Sequence, residues 1–70
     1  MDIRKQVGLN VLRLRQARGL SQEELAFEAE MHRTYVSGVE RGVRNPTVTV
    51  LAKIAVALKV SPDQLLKAVR

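Results

Sequence analysis

The chain has no cysteine and no tryptophan, and among its 70 residues there are only one tyrosine, one phenylalanine, one histidine and two prolines. Without cysteine there is neither a disulfide frame nor a thiolate metal site, so stability has to come from helix packing or from association of copies. A reducing cytoplasm suits such a chain. No run of about 18 apolar residues occurs and no signal-peptide pattern opens the sequence, which argues against a membrane span and against secretion. One histidine, and carboxylates gathered at Glu23, Glu24, Glu28 and Glu30, offer no ligand set for a metal and no converging acid, base or nucleophile. That acidic group is most simply a solvated face. With no glycine-rich phosphate loop and no room for a ligand domain, the expectation is a protein that is not an enzyme and uses no cofactor, metal or small-molecule ligand.

What is present is charge, laid out unevenly. Residues 1–20 hold five basic side chains against one acid, residues 21–30 hold four acids and no base, and residues 31–45 hold three bases against one acid. Residues 46–70 hold four bases and one acid, for a net charge of +5 and an isoelectric point near 10.5. A basic surface attracts polyanions, and double-stranded DNA is the first candidate partner. Charge alone is equally consistent with simple solubilisation, so position has to decide.

Seventy residues make one domain, and no strand-like alternation persists, so the expected fold is all-α with five helices. The first covers residues 2–18, with Asp2 at its start, Ile3, Val7, Val11 and Leu14 as its core stripe, and Gly19 ending it. Leu9 and Leu12 lie off that stripe, either partly covered by neighbours or in contact with a partner. Ser21 and Glu24 have capping-box spacing, and Leu20 with Leu25 forms a hydrophobic staple, so a second helix follows with Leu25, Ala26 and Ala29 facing inward. After a turn near residues 30–32, a third helix spans about residues 33–41. At 100° per residue Val36, Val39 and Glu40 point to one side, and Arg33, Thr34, Ser37, Gly38 and Arg41 to the other. Pro46 forbids helix at Asn45, Thr47 caps a fourth helix burying Leu51, Ile54, Ala55 and Leu58, and Ser61-Pro62-Asp63-Gln64 predicts a fifth. Val60 staples onto Leu65 of that helix, and Leu65, Leu66 and Val69 carry more apolar surface than one side needs.

Two short helices joined by a tight turn over residues 21–42 resemble the helix-turn-helix family of the phage lambda repressor and Cro proteins. The string HRTYVSGVERG is most similar to the controller proteins of restriction–modification systems. The resemblance covers nearly the whole chain: Gly8, Val11, Leu14, Arg15, Gly19-Leu20-Ser21-Gln22, Leu25-Ala26, Val36, Ser37, Glu40-Arg41-Gly42, Arg44-Asn45-Pro46 and Val60-Ser61-Pro62 occur in order. It implies a compact repressor-like domain over residues 1–70. Departures are Glu30 and Lys59, where the family usually has glycine, and His32, where a serine, threonine or aspartate cap is commoner. An Arg15–Glu40 pair, at positions resembling a paired arginine and glutamate in that family, is expected to be a largely buried salt bridge.

The implied function is a sequence-specific transcriptional regulator, a homodimer on an inverted-repeat operator with helix three in the major groove, cytoplasmic and held at the nucleoid when bound. Arg33, Thr34, Ser37 and Gly38 are the candidate base readers, Gly38 by allowing close approach or else a merely tolerated glycine. Gln22, His32, Tyr35, Arg41, Arg44 and Asn45 are the candidate phosphate contacts, with core packing the alternative for Tyr35 and a role-free surface position the alternative for His32. Val60, Leu65, Leu66 and Val69 are the expected dimer interface, with the division of these leucines between core and partner left open. The competing readings are the DNA-binding antitoxin of a toxin–antitoxin pair and a protein-interaction module that never touches DNA.

Overall fold

The computed structural model of the chain describes residues 2–69, and among these there are four α-helices, one short 3-10 turn and no strand. Helix α1 is Ile3–Ala17, α2 Gln22–Glu28, α3 Arg33–Glu40 and α4 Val48–Leu58, and Pro62–Leu65 forms the 3-10 turn. Three of the four α-helices, α1, α2 and α4, start on a side-chain cap. The Asp2 carboxylate accepts the Arg4 amide at 2.8 Å, and hydrogen bonds from the Arg4 side chain and backbone draw its pKa down to about 2. Ser21 Oγ accepts the Glu24 amide while Glu24 returns a carboxylate oxygen to the Ser21 amide, completing the capping box. That bond from the Ser21 backbone holds the Glu24 pKa below its ordinary value. Thr47 Oγ1 accepts the Val50 amide and opens α4.

The expected fifth helix does not form. Ser61 makes no side-chain cap bond, and the turn closes through i+3 bonds from the Gln64 amide to the Ser61 carbonyl and from the Leu66 amide to the Asp63 carbonyl. The physical reason lies in α1. Gln6 Nε2 donates to the Leu66 carbonyl at 2.8 Å, and Asn10 Nδ2 donates to the carbonyls of Leu65 and Lys67 at 2.9 Å each. In a continuing helix the Leu65 and Leu66 oxygens would accept amides four residues on, so α1 supplies partners that such a helix would have supplied.

The core is aliphatic: Val7 and Val11 of α1, Leu25 and Ala26 of α2, Val36 and Val39 of α3, and Ile54, Ala55, Ala57 and Leu58 of α4 surround Leu65. Phe27, the one phenylalanine, stands almost fully exposed on α2, and the one tyrosine, Tyr35, is half-buried against the core, so no aromatic ring is fully buried. Ile3 also departs from expectation, being half exposed in the first turn of α1, beyond the reach of the core. Leu9 and Leu12 are half-buried, as partial cover by neighbours requires. Glu30 and Lys59 both take left-handed backbone, with φ of 58° and 59°, so this chain keeps the turn geometry without the glycine and carries a strain of roughly 1 kcal/mol or more at each.

Candidate nucleic-acid interface

Helix α3 has one dry side and one wet side. Val36 and Val39 are fully buried against the core, while Arg33 and Thr34 in its first turn are exposed and Ser37 is half-buried one turn later. No apolar side chain stands on that outer face. His32 precedes it as a cap residue without a side-chain cap bond, exposed and free to turn outward. Arg41 follows as the exposed cap residue at the other end.

The helix is fixed in place by a polar cluster at its last turn. Arg15 Nε donates to Glu40 Oε2 at 2.6 Å and Arg15 Nη2 to Glu40 Oε1 at 3.0 Å, a bidentate pair whose side chains are 12% and 5% exposed. Arg15 Nη1 donates to the Leu20 carbonyl at 2.8 Å. Gln22 Nε2 adds a third bond to the carboxylate, donating to Glu40 Oε1 at 2.9 Å. Among the described residues no buried side-chain nitrogen or oxygen lacks a partner. Hydrogen bonding to Glu40 holds the Arg15 pKa above its usual value against the opposing effect of burial. The cluster ties the end of α1, the start of α2 and the end of α3 together, so the angle at which α3 is presented is set by ionic contacts as well as by packing.

Three sequence expectations change here. Gln22 was expected to offer its side-chain amide outward, but one amide hydrogen is committed to Glu40, which leaves the other hydrogen and the carbonyl oxygen. Sequence spacing held no sign of that bond, since donor and acceptor are 18 residues apart. Gly38 is buried rather than open, because the side chain of Arg44 lies across it. Leu65 belongs to the core, fully covered, and so cannot face a partner.

The remaining expected residues fall around α3 or toward α4. Tyr35 is half-buried, its ring packed on the core, with the Arg44 guanidinium carbon 5.5 Å from the ring centroid. Arg44 itself is exposed, and the carbonyl of Gly38 accepts the amides of Val43 at 3.0 Å and Arg44 at 3.3 Å, which folds the loop after α3 back over its outer side. Asn45 is exposed and lines a shallow depression with Ile3, Val7, Pro46, Leu51 and Leu66. Leu66 is exposed there, whereas Val60 and Val69 are half-buried. Arg33 shares a shallow cleft with Ser21, Gln22 and Glu23. Thus Arg33, Thr34, Ser37, Arg41 and Arg44 share one helix and its returning loop. Among the described residues no group of three or more His, Cys, Asp or Glu is placed to hold a metal ion, and no helix is long and apolar enough to cross a membrane.

Residues 11–65 match the family described as Helix-turn-helix (HTH_3). A transcriptional regulator of Sinorhizobium fredii, named only as an uncharacterised protein of helix-turn-helix type, is 49% identical over 65 residues, covering 93% of this chain and 84% of that one. The control protein C.BamHI of Bacillus amyloliquefaciens is 46% identical over 66 residues, covering 93% and 82% of the two chains. The crystal structure of the restriction–modification controller protein C.AhdI from Aeromonas hydrophila superposes with a TM-score of 0.87 at 45% identity, over 89% of this chain and 94% of that chain.

Proposed function

The chain belongs to the helix-turn-helix family, and from that premise we propose that it is a DNA-binding transcriptional regulator that reads operator sequence with α3. The observation that carries the reading is the outer face of α3, polar throughout and bracketed by Arg33 at one end and by Arg41 and Arg44 at the other, on a helix pinned by the Arg15–Glu40 pair. A major groove admits one helix, and Arg33 presents a guanidinium fork that fits the O6 and N7 of guanine. Thr34 and Ser37 offer hydroxyls, and Thr34 a methyl, to neighbouring base edges. His32, Tyr35, Arg41, Arg44, Asn45 and the free half of the Gln22 amide hold phosphates on either side. Relatives named as control proteins favour this reading over an antitoxin or a protein-interaction module. The protein does no catalysis, and it works in the cytoplasm on the nucleoid. Selection of preferred sites from random duplex DNA tests it, and enrichment of no sequence would refute sequence-specific binding.

The active form in this proposal is a homodimer on an inverted repeat. With Leu65 in the core, the surface for a second copy falls to Leu66, aided by Val60 and Val69 and by exposed Ile3 beside the Leu66 depression. Two recognition helices about 34 Å apart then address half-sites roughly 10 bp apart. Sedimentation at micromolar concentration is expected to show dimers, and monomers alone, with and without operator DNA, would sink the dimer.

Reading and gripping are separable. Arg33→Ala is expected to weaken binding to the selected site by about 1–3 kcal/mol while changing binding to random DNA much less. Arg44→Ala is expected to weaken both alike and to flatten the salt dependence by nearly one unit of slope, since each phosphate contact on duplex DNA releases about 0.9 of a counterion. Isotherms at several salt concentrations on both DNAs check this. Equal losses on the two DNAs for Arg33→Ala would move base reading to Thr34 and Ser37.

A further inference from the structure

Gly38 sits in the middle of α3, where a glycine weakens the helix relative to alanine, and it is buried although it belongs to the outer face. The space above its Cα is filled by Arg44. A Cβ on Gly38 would stand 2.6 Å from Arg44 Cγ, 3.3 Å from its Nε and 3.5 Å from its Cδ. From there the guanidinium reaches over the Tyr35 ring, one helical turn back, and the carbonyl of Gly38 accepts the backbone amides of Val43 and Arg44. One residue therefore receives the loop twice, through its carbonyl and through its missing side chain.

We propose that Gly38 is a positioning residue: its lack of a side chain lets Arg44 lie across α3 and over Tyr35, so that this arginine is preorganised for DNA before binding. The inference rests on the DNA-binding reading above for its consequence, though not for its geometry. A long side chain loses rotamer freedom when it is fixed in a complex, and one already fixed against a ring and a helix has less to lose. The obstructing atom, Cγ, is close to the Arg44 backbone, so a Cβ at position 38 cannot be accommodated by swinging the guanidinium aside. The whole stem has to leave.

The test uses the full chain with Gly38→Ala, Arg44→Ala and the double variant. Alanine is the better helix former, so Gly38→Ala is expected to melt no lower than the parent. In the free parent, the Arg44 side-chain proton resonances should be shifted upfield by the Tyr35 ring, and in Gly38→Ala they should return to ordinary values. On the selected operator Gly38→Ala should bind about tenfold more weakly, a typical loss for one displaced contact. In the Arg44→Ala background the same change should cost almost nothing. The salt slope of Gly38→Ala should flatten toward that of Arg44→Ala, because a displaced phosphate contact no longer releases its counterion. Unshifted Arg44 resonances in the parent, unchanged affinity, or an equal loss in both backgrounds would overturn the proposal, the last by showing that the new methyl strikes DNA directly. A parent with the ring-shifted arginine and no preference for any DNA would leave the positioning intact and refute the DNA reading instead.

Discussion

Glu40→Ala is expected to destabilise the protein by about 3 kcal/mol, toward the low end of the 3–5 kcal/mol typical when one partner of a buried ion pair is removed. Arg15 would keep its bond to the Leu20 carbonyl but lose both bonds to the carboxylate, at 12% side-chain exposure. Gln22 would lose its acceptor as well. The loss falls short of the upper end because the Arg15 guanidinium retains a carbonyl and a little water. For a domain of this length, total stability is on the order of 4–10 kcal/mol, so the variant should unfold at markedly lower urea and melt well below the parent. The pair itself need not be a large net source of stability. Arg15→Met combined with Glu40→Leu removes both charges together and should recover most of the loss. A single Glu40→Ala variant with the parent's urea midpoint would mean that the pair is effectively solvated.

This cluster marks how far the sequence can be read. The capping box at Ser21 and the cap at Thr47 are legible because cap and partner lie within a few residues of each other, and local chemistry decides them. The ion pair was legible from two helical angles and a resemblance. The third bond was not, because Gln22 is far from Glu40 along the chain and nothing in its own neighbourhood points inward. The same limit explains the missing fifth helix. Ser61-Pro62-Asp63-Gln64 is a sound local start signal, and Pro62 does stand at the head of a turn with Asp63 in it. What stops propagation is a pair of amides on α1, at Gln6 and Asn10, which take the carbonyls from more than 50 residues away. Tertiary hydrogen bonds override a local helix preference whose magnitude is only tenths of a kcal/mol per residue. The side on which Leu65 falls is open in the sequence for the same reason: on an α-helix it could face out, whereas the short turn drives it into the core. Gly38 was placed on the correct face, and its cover by Arg44 depends on a loop conformation that no periodicity encodes.

Gly8→Ala is expected to destabilise the protein by about 3 kcal/mol, although the same substitution in an exposed helix interior stabilises by about 1 kcal/mol. Gly8 lies in the middle of α1 and is buried against the end of α3. A Cβ there would meet the Val39 carbonyl oxygen, come within 2.6 Å of the Glu40 carbonyl oxygen and lie 3.0 Å from its carbon. These are backbone atoms, so no rotamer change relieves the contact; α1 and α3 have to separate. Separation would stretch the Arg15–Glu40 pair, which joins the same two helices at the same turn of α3 and about two turns further along α1, and would loosen Val7, Val11, Val36 and Val39 together. A core whose fully buried side chains are all aliphatic depends on such close approach of helix backbones, because these small side chains cannot fill a wider gap. The two helical glycines thus make opposite forecasts for one substitution: Gly38→Ala meets a side chain and should leave stability unchanged or higher, while Gly8→Ala meets backbone and should lower the urea midpoint sharply. If Gly8→Ala were as stable as the parent, α3 could shift on α1 without cost, and the ionic cluster would then be the only device fixing the angle at which the recognition helix is presented.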